Sequence, residues 1–574
     1  VTDSGERLIE TIRRSIIGDD RVIEGPFGPR RLTYADYTAS GRSLSFIEDY
    51  IRDEVMPLYA NTHTETSGTG RQTGRFREDA RDIIRQATGC TDDDALIFCG
   101  SGATAAVNKI VDMLNLRLPR ELDVQYRLRE QVPAEQRPVV FIGPYEHHSN
   151  ELPWRESIAD LVKIDEDADG HVDLAALEAA LQRYADRPLK IGSFSAASNV
   201  TGIGTDTRSI AALLHKYNAL SFWDFAAAGP YVRIEMNMRD DREDGHLVYK
   251  DAVFISPHKF IGGPGTPGIL IVKKKLIQSA VPTVPGGGSV SFVNATTHQY
   301  HANPVRREEA GTPAIIESVR AGLVFQLKEA VGWQRIRERE ASFVHRAIAR
   351  WRKNPNIQIL GNLDAWRLSI VSFMVRHHED YLHYVFVVAV LNDLLGVQAR
   401  GGCSCAGPYG HRLLGIDPTT SGRMLCAILA GQEGVRPGWV RINFNYFISD
   451  AVFEFLLDAV DFVAEHAWKL LPYYHFNPKS GTWVHRSGRR APVLRLGDIC
   501  YEDGQMSYPR RHVTEPESAL RRYLEEARRA VDEAVVGAEA VDAEDPVLSE
   551  EVERLRWFPL PTEVRAELLG AAPR

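Results

Sequence analysis

Ala252-Val253-Phe254-Ile255-Ser256-Pro257-His258-Lys259 is the stretch whose reading decides the fold. Its first four residues are apolar and β-rich, and read as a short buried strand. A lysine directly after such a strand would sit at the C-terminal mouth of a parallel sheet, where open α/β folds bind ligands. Glycines follow at Gly262, Gly263 and Gly265 and would let backbone approach a ligand closely.

Working outward, the same pattern recurs on both sides. Ala95 to Phe98, Pro138 to Ile142, Leu189 to Phe194, Ala219 to Trp223 and Gly268 to Val272 read as further short strands. Helical stretches at Ala103 to Leu114, Asp173 to Tyr184 and Ser209 to Tyr217 lie between them, and Phe76 to Ala87 has helical spacing. Short β-rich runs alternating with amphipathic helices predict an α/β fold with a mostly parallel sheet. Arg120 to Arg137 reads as a polar surface loop. After the Pro/Gly-rich break at Pro282 to Gly288 the pattern changes. A long helix (Ile316 to Lys353), strands near Trp366 to Val375 and Gly438 to Phe444, and a helix at Tyr384 to Leu395 read as a smaller α+β unit. Beyond Leu471 comes an aromatic, turn-rich segment (Tyr473 to Trp483) and a charged helix candidate, Glu515 to Val535. The expected organisation is an N-terminal arm (1–35), a large domain (36–314), a small α+β domain (315–470) and a C-terminal extension (471–574).

Composition bounds the function. The chain has 574 residues, enough for two or three units, with 44% hydrophobic and 25% charged residues, an ordinary globular balance. A formal net charge of -9 implies no general affinity for nucleic acid or anionic membrane. No apolar run approaches the roughly 18 residues of a membrane helix. Val1 to Glu10 lacks the apolar core of a signal peptide, so a cytoplasmic location is expected. Six cysteines are too sparse for a disulfide scaffold. Cys403 and Cys405 are a poor zinc signal, since no second pair with ligand spacing accompanies them; no metal is expected.

Four elements carry chemistry. Lys259 is the first. Asp224, just past the strand Ala219 to Trp223, is the second: a carboxylate there is costly without a cationic partner, and fits either a helix cap or a protonated ring nitrogen. The third is Gly100-Ser101-Gly102-Ala103-Thr104, between a strand and a helix, which fits a plain turn or a phosphate cradle at a helix N-terminus. The fourth is Glu146-His147-His148-Ser149-Asn150. An imidazole here could stack on a ring or move protons; for His148 the preferred reading is a surface loop residue.

Taken in order, these elements resemble the fold-type I, class V aminotransferase-like enzymes that use pyridoxal 5′-phosphate (PLP), and within them the cysteine desulfurase and selenocysteine lyase branch. The resemblance runs from about Leu32 to Glu465. It is carried by Tyr37-Thr38-Ala39-Ser40, Gly102-Ala103-Thr104-Ala105-Ala106-Val107-Asn108, Glu146-His147-His148-Ser149-Asn150, Ser198-Asn199-Val200-Thr201-Gly202, Trp223-Asp224, Ser256-Pro257-His258-Lys259, Gly286-Gly287-Gly288-Ser289, Glu309-Ala310-Gly311-Thr312-Pro313 and Arg441. It implies that Lys259 holds PLP covalently, Asp224 pairs with the ring nitrogen and makes the ring an electron sink, and His147 stacks on the ring. Ala103, Thr104, Ser256 and His258 would bind its phosphate. Gly311 and Thr312 would reach the phosphate of a neighbouring subunit, which implies a homodimer. Asn199 and Arg441 would hold the substrate carboxylate.

In Arg400-Gly401-Gly402-Cys403-Ser404-Cys405-Ala406-Gly407-Pro408, Cys405 falls where the desulfurases carry their sulfur-accepting cysteine. A loop thiolate suits attack on sulfur, while a small loop hydrophobe is the plainer reading. Two features depart from the family: Ala227 stands where a glutamine is usual, and the extension has no counterpart. The expected function is PLP-dependent carbon–sulfur bond cleavage of cysteine or a related β-substituted amino acid, with a persulfide on Cys405 and a separate sulfur acceptor. The rivals are an aminotransferase, epimerase or decarboxylase reaction on the same scaffold, and a non-catalytic binding protein, against which the Lys259, Asp224 and His147 set speaks.

Overall fold

The computed structural model describes residues 4–62, 64–488, 494–510 and 512–572. The first three residues of the N-terminal arm lie outside the described residues. The main sheet has seven strands: β1 (Asp94–Cys99), β2 (Val139–Ile142), β3 (Asp160–Lys163), β4 (Lys190–Ser195), β5 (Leu220–Asp224), β6 (Ala252–Ile255) and β7 (Gly268–Lys273), in the spatial order β1-β7-β6-β5-β4-β2-β3. Every pairing is parallel except those of β7, which runs antiparallel to both neighbours. Consecutive residues of a strand go to opposite faces. Thus Val253 and Ile255 of β6 join one buried cluster, with Phe194 and Trp223, while Ala252 and Phe254 join another, with Ile191 and Phe222. Burial on both faces explains why these strands read as continuous apolar runs rather than alternating ones.

Three helices place the site. α1 (Gly68–Ala87) begins eight residues before the helical spacing becomes visible in the sequence. Gly68, Gly70 and Gly74 make its first turns look like loop, but the Ser67 side chain caps it by accepting from the Gly70 N–H at 3.1 Å. α2 (Gly102–Met113) follows β1, and α3 (His148–Arg155) follows β2. The segment 120–137 is not plain loop, as it holds short helices at Arg120–Tyr126 and Leu128–Gln131.

The expected single helix of Ile316 to Lys353 is two: α4 (Ile315–Val331) and α5 (Trp333–Trp351). Gly332 divides them at φ +86°, a conformation only glycine adopts without strain. A second, antiparallel sheet follows, with β8 (Ile357–Ile359), β9 (Ile370–His377), β10 (Arg400–Gly402) and β11 (Trp439–Asn443) in the order β8-β9-β11-β10. The pair Asp380–Tyr381 hydrogen-bonds back to β9. Helices α6 (Tyr384–Leu395), α7 (Gly407–Leu413), α8 (Pro418–Leu429) and α9 (Asp450–His466) complete this part.

The extension folds onto it. Tyr474–Asn477 and Thr482–His485 form a hairpin, followed by α10 (Leu520–Val536), α11 (Glu550–Leu555) and α12 (Pro561–Leu568). Phe476 and Trp483 of the hairpin and Trp557 and Phe558 after α11 surround His383, the residue that caps α6. Trp557 stacks on His383 at 5.4 Å between ring centroids and 13° between planes. Burial drives His383 down to about 3, so it packs as a neutral ring. α10 covers the N-terminal arm: Tyr523 Oη accepts the Arg31 N–H at 2.8 Å, and Arg30 pairs with Glu526 at 2.9 Å.

Candidate active site

The ends of β1, β2, β4, β5 and β6 deliver their following residues to one cavity of about 200 Å³. It is lined by the sequence-predicted Ala103, Thr104, His147, Asn199, Asp224, Ser256, His258, Lys259 and Arg441, and by Thr38, Ser195, Ala227, Arg400 and Ser404. Lys259 ends a short 3₁₀ turn, Pro257–Lys259, directly after β6. Burial pushes its ammonium down to about 8; Asp224 opposes that shift, and Arg441 and Arg400 add to it. Asp224, the last residue of β5, is raised by burial despite the hydrogen bond it accepts from Ala226 N–H at 2.7 Å and the attraction of Lys259. It caps no helix: the chain turns instead.

His147 caps α3, its Nδ1 accepting from the Ser149 N–H at 3.1 Å. Burial and the nearby Lys259 charge lower it to about 3, which leaves a neutral, planar ring in the cavity wall. His148 is not a surface loop residue. It begins α3, half-buried, where its Nε2 accepts the Gly407 N–H at 3.1 Å and its own N–H donates to the Cys405 carbonyl at 2.8 Å.

The turn before α2 forms a cradle. Gly102 has φ +58°, and a Cβ there would stand 2.8 Å from Ser256 Oγ and 2.9 Å from His258 Cε1. The Ala103 N–H donates to Ser256 Oγ at 2.8 Å, leaving that hydroxyl proton free to donate in turn. Thr104 Oγ1 meets Ser149 Oγ at 2.6 Å. Ser101 and Thr104 are exposed, so the cradle opens to the surface. Gly311 and Thr312 do not line this cavity. They are exposed, and Thr312 Oγ1 accepts from Asn61 Nδ2 at 3.1 Å. The preceding Glu309 pins their loop, its buried carboxylate bound by Arg77 at 2.6 Å, by Arg81 at 3.0 Å and by the Phe98 N–H at 2.8 Å.

The other end of the cavity is cationic. Arg400 of β10 lies directly opposite Arg441 of β11 in the sheet register. Arg441 donates to Asp36 Oδ1 at 2.7 Å and to the Asn199 carbonyl at 2.9 Å. Asn199 Nδ2 donates to the Ser404 carbonyl at 2.8 Å. Ser404 and Cys405 both adopt left-handed backbone, φ +52° and +56°, uncommon for residues other than glycine and costly unless the surroundings hold it. His148 and Asn199 provide that hold. Cys405 stands half-buried beside Ser404, which itself lines the cavity.

Sequence reading missed Arg400 as a lining residue, because a cross-strand partner is invisible before the register is known. It also missed Asp36 and Glu146. Glu146 lies fully buried behind the cavity and accepts from Ser195 Oγ at 2.6 Å, from the Ser195 N–H at 2.9 Å and from Asn150 Nδ2 at 2.7 Å. Burial raises it to about 7. Its place in Glu146-His147-His148-Ser149-Asn150 is the signal in the sequence, but the role of the carboxylate depends on Ser195, far along the chain.

The residues fit PLP. Thr38 Oγ1, Asn199 Oδ1, Ser404 Oγ and Arg441 Nε are buried without a hydrogen-bond partner among the described residues, and all four belong to lining residues. Buried polar atoms are normally paired, so the cavity is built for polar groups the chain itself does not supply. A buried carboxylate, a lysine with lowered affinity for protons and a cradle of N–H and hydroxyl donors match a ring nitrogen, an aldehyde and a phosphate.

Residues 33–420 match the sequence pattern of the family described as Aminotransferase class-V. The chain belongs to that family. Class-V aminotransferase relatives include a probable cysteine desulfurase of Streptomyces coelicolor, 25% identical over 419 residues that cover 72% of this chain and 91% of the relative. One of Staphylococcus aureus strain N315 is 24% identical over 399 residues, 68% of this chain and 87% of the relative. Among solved structures, the cysteine desulfurase of Thermococcus onnurineus NA1 superposes with a TM-score of 0.62 at 21% identity, covering 79% of this chain and 98% of that one. The cysteine desulfurase CsdA of Escherichia coli gives 0.59 at 18%, covering 81% and 99%. The fold is therefore fold-type I, and the chain is an enzyme of this class. Among the described residues no helix is long and apolar enough to cross a membrane.

Proposed function

We propose that this enzyme uses PLP to cleave the carbon–sulfur bond of cysteine or a related β-substituted amino acid, and that Cys405 accepts the sulfur. The observation that carries the reading is the Cys405 loop: two consecutive left-handed residues tied to the cavity wall by Asn199 and His148. A plain surface loop has no need of that arrangement. The names of the relatives support the same reaction class.

Lys259 would attach the cofactor, and Asp224 would hold the proton on its ring nitrogen. His147 would lie against the ring, and Ala103 N–H, Thr104, Ser256 and His258 would grip the phosphate. PLP supplies an electron-withdrawing ring that takes up the electron pair released at the substrate α-carbon. Arg441 and Arg400 would orient the substrate carboxylate, with Asn199 beside it. Lys259 would take up the substrate α-proton, and its lowered pKa suits that task. The Cys405 thiolate attacks the substrate sulfur. The S–S bond forms as the C–S bond breaks, the carbon keeps that electron pair and is protonated to give alanine, and Cys405 leaves as a persulfide. A further thiol or protein acceptor must then remove the sulfur.

We further propose the organisation as arm, large domain, small domain and extension at the boundaries given above, and a homodimer. The exposed phosphate cradle and the exposed Gly311 and Thr312 support a second chain closing the site. An interface of about 2,000 Å² or more is then expected.

The deciding experiment adds L-cysteine to the yellow holoenzyme, alkylates rapidly and maps Cys405 by mass spectrometry. A persulfide on Cys405, with Cys405→Ala keeping the cofactor spectrum but losing most sulfur release, supports the reading. Full turnover of cysteine by Cys405→Ala would point to simple elimination. α-Proton exchange without reaction of any sulfur or selenium amino acid would favour an epimerase or aminotransferase.

A further inference from the structure

We propose that His377, His378 and Glu567 form a binding site for one zinc ion that ties the C-terminal extension to the second sheet. His377 ends β9, His378 follows it, and Glu567 lies on the last helix, α12. His377 Nε2 stands 3.1 Å from Glu567 Oε2, and His378 Nε2 stands 2.9 Å from Glu567 Oε1. All three ligand atoms lie within 4.8 Å of one another.

The backbone brings the two imidazoles together. Consecutive residues of a strand point to opposite faces, so adjacent histidines at a strand end would diverge. Here His378 takes the left-handed conformation, φ +55°, which turns its ring back toward the carboxylate that His377 faces. The two ring centroids are 4.3 Å apart. His378 and Glu379 form the two-residue turn that brings Asp380–Tyr381 back along β9, and a positive φ at the first turn residue is what such a hairpin calls for. The turn that closes the hairpin thus also sets both imidazoles against one carboxylate.

The donor set selects the ion. Two imidazole nitrogens and one carboxylate oxygen suit a borderline divalent ion of the zinc class rather than calcium or magnesium. Around a tetrahedral ion with bonds of about 2 Å, ligand atoms sit roughly 3.3 Å apart, and each imidazole nitrogen stands near that distance from a Glu567 oxygen, at 3.1 Å and 2.9 Å. His377 is 9% exposed and flanked by the Trp468 ring at 5.1 Å. His378 is 44% exposed, so a fourth position open to water remains. Asp380, the register partner of His377 in the hairpin, adds negative charge beside the cluster. The ion would join residues nearly two hundred positions apart in sequence and add one more tie to a helix of eight residues that already packs through Val564 and pairs through Glu563 and Arg565.

The test uses the full chain, stripped with EDTA and desalted, then titrated with Zn²⁺ against a chromophoric chelator. One ion per chain is expected, with affinity falling at least tenfold in His378→Ala and in Glu567→Gln. Glu567→Gln keeps the size of the side chain but removes its charge and one acceptor oxygen, so unchanged urea unfolding of the zinc-free variant alongside lost uptake separates ligation from folding. Cys403→Ser/Cys405→Ser is expected to keep the ion; loss there would place it on the active-site loop and overturn the proposal. Co²⁺ should give visible absorption bands in the wild type that His378→Ala loses. Zinc should also slow proteolytic removal of the extension in the wild type but not in His378→Ala. No stoichiometric uptake, or uptake unchanged in both ligand variants, refutes the site, and uptake without protection refutes its tying role.

Discussion

Lys259 offers a test of the active-site electrostatics that does not depend on turnover. Burial lowers its pKa to about 8 from 10.5. At pH 7 a lysine at 10.5 is ~0.03% neutral, while one at 8 is ~10% neutral, a ~300-fold gain in nucleophilic amine. Its neighbours pull in opposite directions. Asp224 raises the value, so Asp224→Asn should lower it further, whereas Arg400→Gln removes a cation and should raise it. The assay is competitive trace acylation of the cofactor-free protein across pH, with peptide mass spectrometry reading Lys259 against exposed Lys479. The Lys259 curve should bend within about a unit of pH 8, with the two variants moving it in opposite senses. A bend near 10.5, or both variants shifting it the same way, would refute the electrostatic account of the cavity.

Two further outcomes follow from the packing. Glu309→Ala takes the buried carboxylate from Arg77 and Arg81 and leaves them only the exposed Glu78 as an acidic partner, and urea unfolding should register a loss of about 3 kcal/mol. Burial alone would raise Glu309, but Arg81 and Arg77 outweigh it and hold the carboxyl below its usual 4.5, so its contribution is present above that pH and disappears as pH falls through the folded value. Phe558→Ala removes a buried ring that touches His383, Phe476, Trp483 and Trp557; a cost of about 3–5 kcal/mol should appear as faster proteolysis beyond Leu471 than in the wild type.

Much of the main sheet was legible because strands buried on both faces leave unbroken apolar runs, and six of its seven strands are readable that way. β3 was not: it is a short edge strand, Asp160–Lys163, half-buried and flanked by charge. The start of α1 hid behind its glycines, and the break at Gly332 hid inside an otherwise helical pattern. Site residues that follow strands, Lys259, Asp224 and the Gly102 turn, were legible because chain direction alone puts them at one edge of the sheet. Arg400, Asp36 and Glu146 were not, because their roles arise from pairings between segments far apart in sequence. The extension's hairpin was visible only as aromatic content; which ring meets which is decided by α6 and His383.

The charges in the cavity argue for what it accepts. Lys259, Arg400 and Arg441 bring three cations, and Asp224 and Asp36 bring two carboxylates. His147 and His258 are both depressed, to about 3 and about 4, by burial and by Lys259, and so add no charge near neutral pH. The surplus is a single positive charge, and it lies where β10 meets β11. Arg441 already directs one N–H of each terminal nitrogen to Asn199 O and Asp36, and its Nε has no partner among the described residues. Asn199 commits one amide N–H to the Ser404 carbonyl, and the side-chain atom it leaves without a partner is Oδ1, an acceptor, which disfavours a carboxylate at that atom. We propose that the grip on a substrate carboxylate is built from the uncommitted N–H groups of Arg441 and the guanidinium of Arg400, with Asn199 acting mainly on the Cys405 loop through Ser404. On that division of labour, Arg400→Gln raises KM for the amino acid while leaving the cofactor spectrum intact. Asn199→Ala instead depresses the sulfur-transfer step, because it releases Ser404 and with it the left-handed turn that carries Cys405. Equal effects of both variants on KM would return Asn199 to the carboxylate site.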